Sequence, residues 1–216
     1  MNKFLALDTT GGYLTVIAAN GGAVHTVFEE DCAMQHSVRL MGAVEEALAA
    51  VRLAPQGCDF FCAVTGPGSF TGIRIGIAAV KGLAAAAGRP MLGRTSLQVL
   101  AYNARGKALA AVPAGRGNYY VCGFAEDKSV CFAPACVGEE QLAALSREYP
   151  LYAYAPLPLP YVQADPAAGL LSAVRAAKEG EFGTPAAFYL RRSQAEEERL
   201  RRSRAEEERP RRGGGA

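Results

Sequence analysis

Hydrophobic and polar positions set the first expectations. Three short apolar runs open the chain, "KFLALD" (3–8), "YLTVIAAN" (13–20) and "AVHTVFEED" (23–31), the first two joined by the turn "TTGG". Runs of this length bounded by turn residues predict strands. The period then changes. In "SVRLMGAVEEALAAVR" (37–52) apolar residues stand at 40, 41, 44, 48 and 51, a helical spacing. "DFFCAVTG" (59–66) lacks polar alternation, as a strand buried on both faces does. A helix over 72–87, a strand "PMLGRTS" (90–96) and a helix "SLQVLAYNAR" (96–105), capped by Ser96, complete the half.

The second half repeats that order. "KALAAVPA" (107–114), "NYYVCGFAE" (118–126) and "SVCFAPACV" (129–137) read as strands. The helix "GEEQLAALSREY" (138–149), the strand "LYAYAP" (151–156) and the helix "DPAAGLLSAVRAAKEG" (165–180) follow, with Pro166 in the first turn of the last. Three strands, helix, strand, helix thus occurs twice, which predicts an α/β chain of two stacked units, each a mixed sheet with flanking helices. The expected divisions are 1–104, 105–190 and a charged segment 191–216. In the last, "RRSQAEEERL" returns ten residues later as "RRSRAEEERP". Almost nothing in it is apolar, so a frayed appendage is expected, with contact to RNA or an acidic partner as the second reading.

Charge and composition narrow the function. The net +2 over 216 residues comes from that last segment, with its nine Arg and six Glu; residues 1–190 carry 14 basic and 15 acidic groups. A near-neutral body gives no electrostatic case for gripping nucleic acid alone. The start "MNKFLALDTTGG" has too short an apolar run for a signal peptide, and no later stretch reads as a membrane span. Six cysteines without C-x-x-C spacing and two histidines argue against zinc and for free thiols packed as small hydrophobes in a cytoplasmic protein. No Ser–His–Asp, Cys–His or paired-carboxylate set stands out.

The stretch "GPGSFTGIRIG" (66–76) between strand and helix is the main candidate for chemistry. It lacks the Lys of G-x-x-x-x-G-K-[ST], and its G-x-G-x-x-x-G misses the dinucleotide spacing by one residue. Gly68 and Ser69 could present backbone N–H groups to an anion, or Ser69 or Thr71 could cap the helix. Asp8, Thr9 and Thr10 at the first hairpin could hold Mg²⁺ and phosphate, or form an Asp–Thr turn. Along the following helix Gly72, Gly76, Ala79 and Leu83 make a flat stripe beside Ile73, Ile77, Val80 and Ala84. Glycine within a helix costs about 1 kcal/mol relative to Ala, which close packing against the 37–52 helix or a partner would offset.

These residues, with "LALDTT" (5–10), "QHS" (35–37), "GLA" (82–84), "SLQVLA" (96–101) and "FYLRR" (188–192), resemble the bacterial tRNA threonylcarbamoyladenosine biosynthesis family TsaB, also called YeaZ. The resemblance is strong over 1–105, looser over 106–192 and absent beyond. It implies two ribonuclease-H-like halves of the sugar-kinase/Hsp70/actin (ASKHA) type. It also implies a non-catalytic partner that activates the TsaD-type transferase in forming N6-threonylcarbamoyladenosine on tRNA, joined by the TsaE-type ATPase. TsaD carries a metal-binding H-x-x-x-H; here His36 is followed at the matching place by Leu40.

Carried over, the implied contact surface comprises Ser37, Leu40, Met41, Val44 and Leu48 on the first helix and Gly72, Arg74, Ile75, Gly76, Ala79 and Leu83 on the second. No intrinsic cofactor is implied, although ATP or ADP with Mg could be held at the assembled interface near Asp8, Thr9, Thr10, Gly68 and Ser69. A homodimer through the same helices is possible for the free chain. In the segment "VPAGRGNYYVCGF" (112–124), Pro113 replaces an acidic residue of the family and Asn118 and Tyr119 surround a Glu position, with Arg116 and Tyr120 kept. The alternative from another class is an autonomous ATP-dependent phosphotransferase of the same fold, using Asp8 as base or metal ligand.

Overall fold

The structure, a computed structural model, describes residues 2–190. The charged segment expected at 191–216 lies outside the described residues.

The first half follows the apolar runs. Strands β1 (Lys3–Asp8), β2 (Leu14–Asn20) and β3 (Ala23–Glu29) form an antiparallel meander, followed by helix α1 (His36–Ala50). Strand β4 (Phe60–Val64), helix α2 (Phe70–Ala87), strand β5 (Met91–Arg94) and the short helix α3 (Ser96–Ala101) come next. Strand β4 pairs parallel to β1 and β5 parallel to β4, giving the order β3-β2-β1-β4-β5.

The second half builds the same sheet from β6 (Ala108–Gly115), β7 (Asn118–Phe124), β8 (Val130–Gly138), β9 (Leu151–Ala153) and β10 (Val162–Gln163), with helices α4 (Glu139–Leu145) and α5 (Pro166–Arg175). Its order, β10-β9-β6-β7-β8, is that of the first sheet read from the other edge, and its parallel and antiparallel pairs correspond. The chain therefore has the two-lobed, ribonuclease-H-like and actin-like α/β fold.

Side-chain alternation explains how the first sheet is covered. Leu5 and Leu7 of β1 face a core with Leu40, Val44, Ile73 and Val80 from α1 and α2. Phe4 and Ala6 face the other way, toward Phe60, Leu92, Leu170 and Val174. The helix supplying the last two is α5, from the second half. Conversely α3, from the first half, packs Leu97, Leu100 and Ala101 against Ala108, Ala110 and Phe124 of the second sheet. The two helices also lie against each other. The expected division at 104/105 is therefore not the division of the packing. Each unit places one helix on the other's sheet, because each sheet is apolar on both faces and needs a second cover.

Several local readings change. Helix α3 is capped by Thr95, not Ser96, in a reciprocal box with Gln98. It ends at Ala101, four residues before the expected end. Strand β10, two residues after a proline-containing loop, carries too little pattern to be foreseen. Helix α2, at 18 residues, is long and apolar enough to cross a bilayer by length and composition, contrary to the expectation that no such stretch exists. It packs instead on β4 and β1, with Ile73, Ile77, Val80 and Ala84 in the core and Arg74 and Lys81 on the outer side.

Candidate functional site

The glycines of "GPGSFTGIRIG" are placed by a close approach of backbone to backbone. Side chains at Gly68, Gly72 and Gly76 would strike the Thr10 carbonyl, the Thr9 carbonyl and the Thr9 hydroxyl respectively. Two hydrogen bonds fasten the contact: Ser69 N donates to Thr10 O at 2.7 Å, and Thr9 Oγ1 donates to Gly72 O at 2.7 Å. The flat stripe on α2 is thus a track for the end of β1, which corrects the expectation that Gly72 and Gly76 face a partner. Ser69 caps the helix through its side chain, accepting from Gly72 N at 3.2 Å. Its own N–H is spent on Thr10. Gly66, at φ 103, lets Phe188 pass, whose N–H donates to Thr65 O at 2.8 Å.

Asp8 is sealed beneath this contact. Its carboxylate is fully buried and accepts from Thr10 N (2.8 Å), Thr10 Oγ1 (2.7 Å) and the Tyr13 hydroxyl (3.0 Å). Burial pushes the Asp8 pKa up, against the downward pull of the Thr10 and Tyr13 hydrogen bonds and of nearby His36. Thr10 Oγ1 also meets Ser96 Oγ at 3.1 Å, tying the start of α3 to the hairpin. His36, the first residue of α1, is buried and its Nε2 lies 2.9 Å from Tyr13 O.

A cleft of about 540 Å³ opens between the lobes, bounded on one side by Thr10, Gly68, Ser69 and Ser96 and on the other by Val112, Pro113 and Tyr154. Asp8 does not line it, and among the described residues no Lys, Arg, Asp or Glu does. A Mg-nucleotide needs cations for its phosphates and free oxygen ligands for its metal. The described residues of the cleft do not fit that group, although Thr10, Gly68 and Ser69 stand where expected. Among the described residues no cluster of three potential metal ligands occurs.

The α1 and α2 surface is only partly the one expected. Leu40, Val44 and Leu48 are 3%, 2% and 5% exposed and belong to the chain's own core, which corrects their assignment to a contact face. Ser37 and Arg74 are exposed, Met41 is 46% exposed, and Ile75, Ala79 and Leu83 are half-buried. The apolar residues that do reach solvent lie elsewhere: Met34, in the turn before α1 at φ 98, is 98% exposed, and on α1 Val38 is 78% exposed beside Met41. On α1 the pair Val38 and Met41, three apart, carries that signal, but the 40, 44, 48 stripe is the stronger pattern. On α2 Ala78 and Gly82 are exposed, and a side chain at Gly82 would meet nothing within 4 Å. At the start of α2, Arg74 lies 4.0 Å over the Phe70 ring, Tyr189 stacks on Phe70 at 4.4 Å, and Arg74 Nε donates to the Tyr189 hydroxyl at 3.2 Å. The chain thus leaves the described region beside this face. Arg116, at φ 55, sits exposed at the tip of the β6–β7 hairpin, while Tyr119 is buried.

Comparison with known proteins agrees with this architecture. Residues 15–146 match the family model for TsaD, tRNA N6-adenosine threonylcarbamoyltransferase. The tRNA threonylcarbamoyladenosine biosynthesis protein TsaB of Escherichia coli is 32% identical over 151 residues, 68% of this chain and 63% of that protein. The Bacillus subtilis protein of the same name is 36% identical over 101 residues, 47% of this chain and 44% of its own. The chain thus spans less than two thirds of the length of these relatives. The solved structure of YeaZ from Pseudomonas aeruginosa superposes with a TM-score of 0.75 at 27% identity, over 88% of this chain and all of the other. The family match, the sequence identities and the superposition lead to one conclusion: the chain belongs to the tRNA N6-adenosine threonylcarbamoyltransferase (TsaD) family, within its TsaB/YeaZ group.

Proposed function

We propose that this chain is a non-catalytic subunit that binds and activates a TsaD-type transferase in the formation of N6-threonylcarbamoyladenosine on tRNA. The observation that carries the reading is the exposure of apolar Met34, Val38 and Met41 at and before α1, together with exposed Ala78 and Gly82 on α2, a helix in contact with α1. Monomeric proteins seldom leave such a face uncovered, and small residues on a helix allow close approach of another. The names of the relatives supply the partner class. Ser37, Arg74, Ile75, Ala79 and Leu83 would join the contact at its edges, while Leu40, Val44, Leu48, Gly72 and Gly76 support it from beneath. In this reading a TsaE-type ATPase and tRNA are reached through the complex, in the cytoplasm, and the free chain pairs with itself through the same face. ATP or ADP with Mg, where held at the assembled interface, depends on charges from the partner.

The phosphotransferase alternative is the weaker reading, since Asp8 is buried and engaged on both carboxylate oxygens. The test is reconstitution: TsaD, TsaE, threonylcarbamoyl-adenylate and tRNA, with modified adenosine quantified with and without this chain. Modification should depend on it. The pair Val38→Glu and Met41→Glu should abolish the stimulation of modification and the complex on size exclusion while leaving thermal unfolding unchanged. Full modification without the chain, or with the double variant, overturns the reading.

A further inference from the structure

Met34 stands almost fully exposed in the turn from Cys32 to Gln35, which Gln35 N closes by donating to Cys32 O at 2.9 Å. At φ 98 its backbone takes a conformation that the third position of a turn grants readily only to glycine. A large apolar side chain is thus held in water at a strained position, and such outliers point to function rather than to packing. We infer that Met34 is an oxidative modification site, and that conversion of its thioether to the sulfoxide weakens docking of the transferase. The inference rests on the partner role proposed above and adds a chemical control to that face.

The surroundings leave a thioether as the group that reacts there. Cys32 is buried, and burial raises its thiol pKa, which keeps the reactive thiolate scarce. Met41 on α1 is 46% exposed, whereas Met91 on β5 is half-buried against the core beneath α1 and α2. The exposed thiols Cys131 and Cys136 belong to β8, in the other sheet.

With hydrogen peroxide as the oxidant, a sulfur lone pair bonds one peroxide oxygen as the O–O bond breaks. The sulfur is oxidised by two electrons, and the second oxygen leaves as water with both protons. On the free chain the new S=O is hydrated, at no cost to the fold. In an apolar contact it must give up that water, so binding about tenfold weaker is expected. Methionine sulfoxide reductases reverse the change, which makes the site a switch rather than a lesion.

The experiment treats the full chain with limiting hydrogen peroxide, then with dithiothreitol to return sulfenic acids and disulfides to thiols. Peptide mass spectrometry maps the added oxygen, and calorimetry measures binding to TsaD before oxidation, after it, and after treatment with the reductase. Met34 should take up oxygen first, Met41 next and Met91 last. Oxidation should weaken binding about tenfold, and the reductase should restore it. Met34→Leu keeps an apolar side chain without the thioether, so its own affinity should not change at the same peroxide dose. Oxygen on Met91 before Met34, unchanged affinity of the oxidised chain, or an equal loss in Met34→Leu overturns the inference. If the untreated chain does not bind TsaD, the partner role falls as well; binding that survives oxidation of Met34 overturns the switch alone.

Discussion

Replacing Gly72 by Ala tests whether the glycines of α2 serve the chain itself. An added methyl would overlap the Thr9 carbonyl, a backbone atom that cannot rotate aside. Forcing an extra carbon into a packed site costs about 1–3 kcal/mol. The buried bond from Thr9 Oγ1 to Gly72 O, 2.7 Å long, would be strained or lost at about 1 kcal/mol. Against this, Ala gains about 1 kcal/mol of helix propensity over Gly. The net expectation is destabilisation by about 1–3 kcal/mol. Gly82 provides the control on the same helix. Nothing lies within 4 Å of its missing side chain, so Gly82→Ala has only the propensity gain, about 1 kcal/mol of stabilisation. Urea denaturation followed by circular dichroism reads both, with m expected to be unchanged. The two variants should move the midpoint in opposite directions. If Gly72→Ala is as stable as the parent, or both variants shift alike, the account of the glycine track is wrong.

Two more expectations concern charge and thiols. Arg94 is 4% exposed and bonds Ala173 O at 3.0 Å and both oxygens of Glu181 at 2.8 and 2.9 Å, joining β5, α5 and the segment after it. The Arg94 guanidinium lowers the Glu181 pKa from 4.5 to about 2. Because the folded value lies below the unfolded one, this stabilisation is full above pH 4.5 and lost as pH falls toward 2. Glu181→Gln should therefore destabilise at pH 7, by about 1–2 kcal/mol given the 38% exposure of the Glu181 side chain. The gap from the parent should close between pH 5 and pH 2, and a gap constant with pH in acid unfolding would refute the pairing. Burial raises the thiols of Cys58 to about 11 and of Cys62 and Cys122 to about 12, while Cys131 and Cys136 are exposed. Ellman's reagent should label Cys131 and Cys136 first in the native chain and the buried thiols only on unfolding; early labelling of Cys62 would contradict the packing.

How much of this was legible in the sequence depends on the range of the interaction. Strand and helix identity followed from apolar period, and residue type narrowed the cap of α2 to Ser69 or Thr71, because each is settled within a few residues. The doubled order of elements even gave the two-sheet architecture. The Thr95 cap was misplaced by one residue, since Thr95 and Ser96 carry the same chemistry and only backbone angles separate them. Three things required the tertiary structure. The stripe Leu40, Val44, Leu48 looks the same whether it faces a partner or its own sheet, and only the position of β1 and β2 turned it inward. The glycines at 68, 72 and 76 announce a close approach without naming what approaches, and Thr9, some sixty residues earlier, is brought there by the parallel pairing of β1 with β4. The exchange of α3 and α5 between the sheets, and the cleft it leaves between Thr10 and Tyr154, exist only once both lobes are packed. Sequence period records which positions are apolar and where the chain turns. Which surfaces then meet is decided by long-range burial, whose partners the local pattern does not encode.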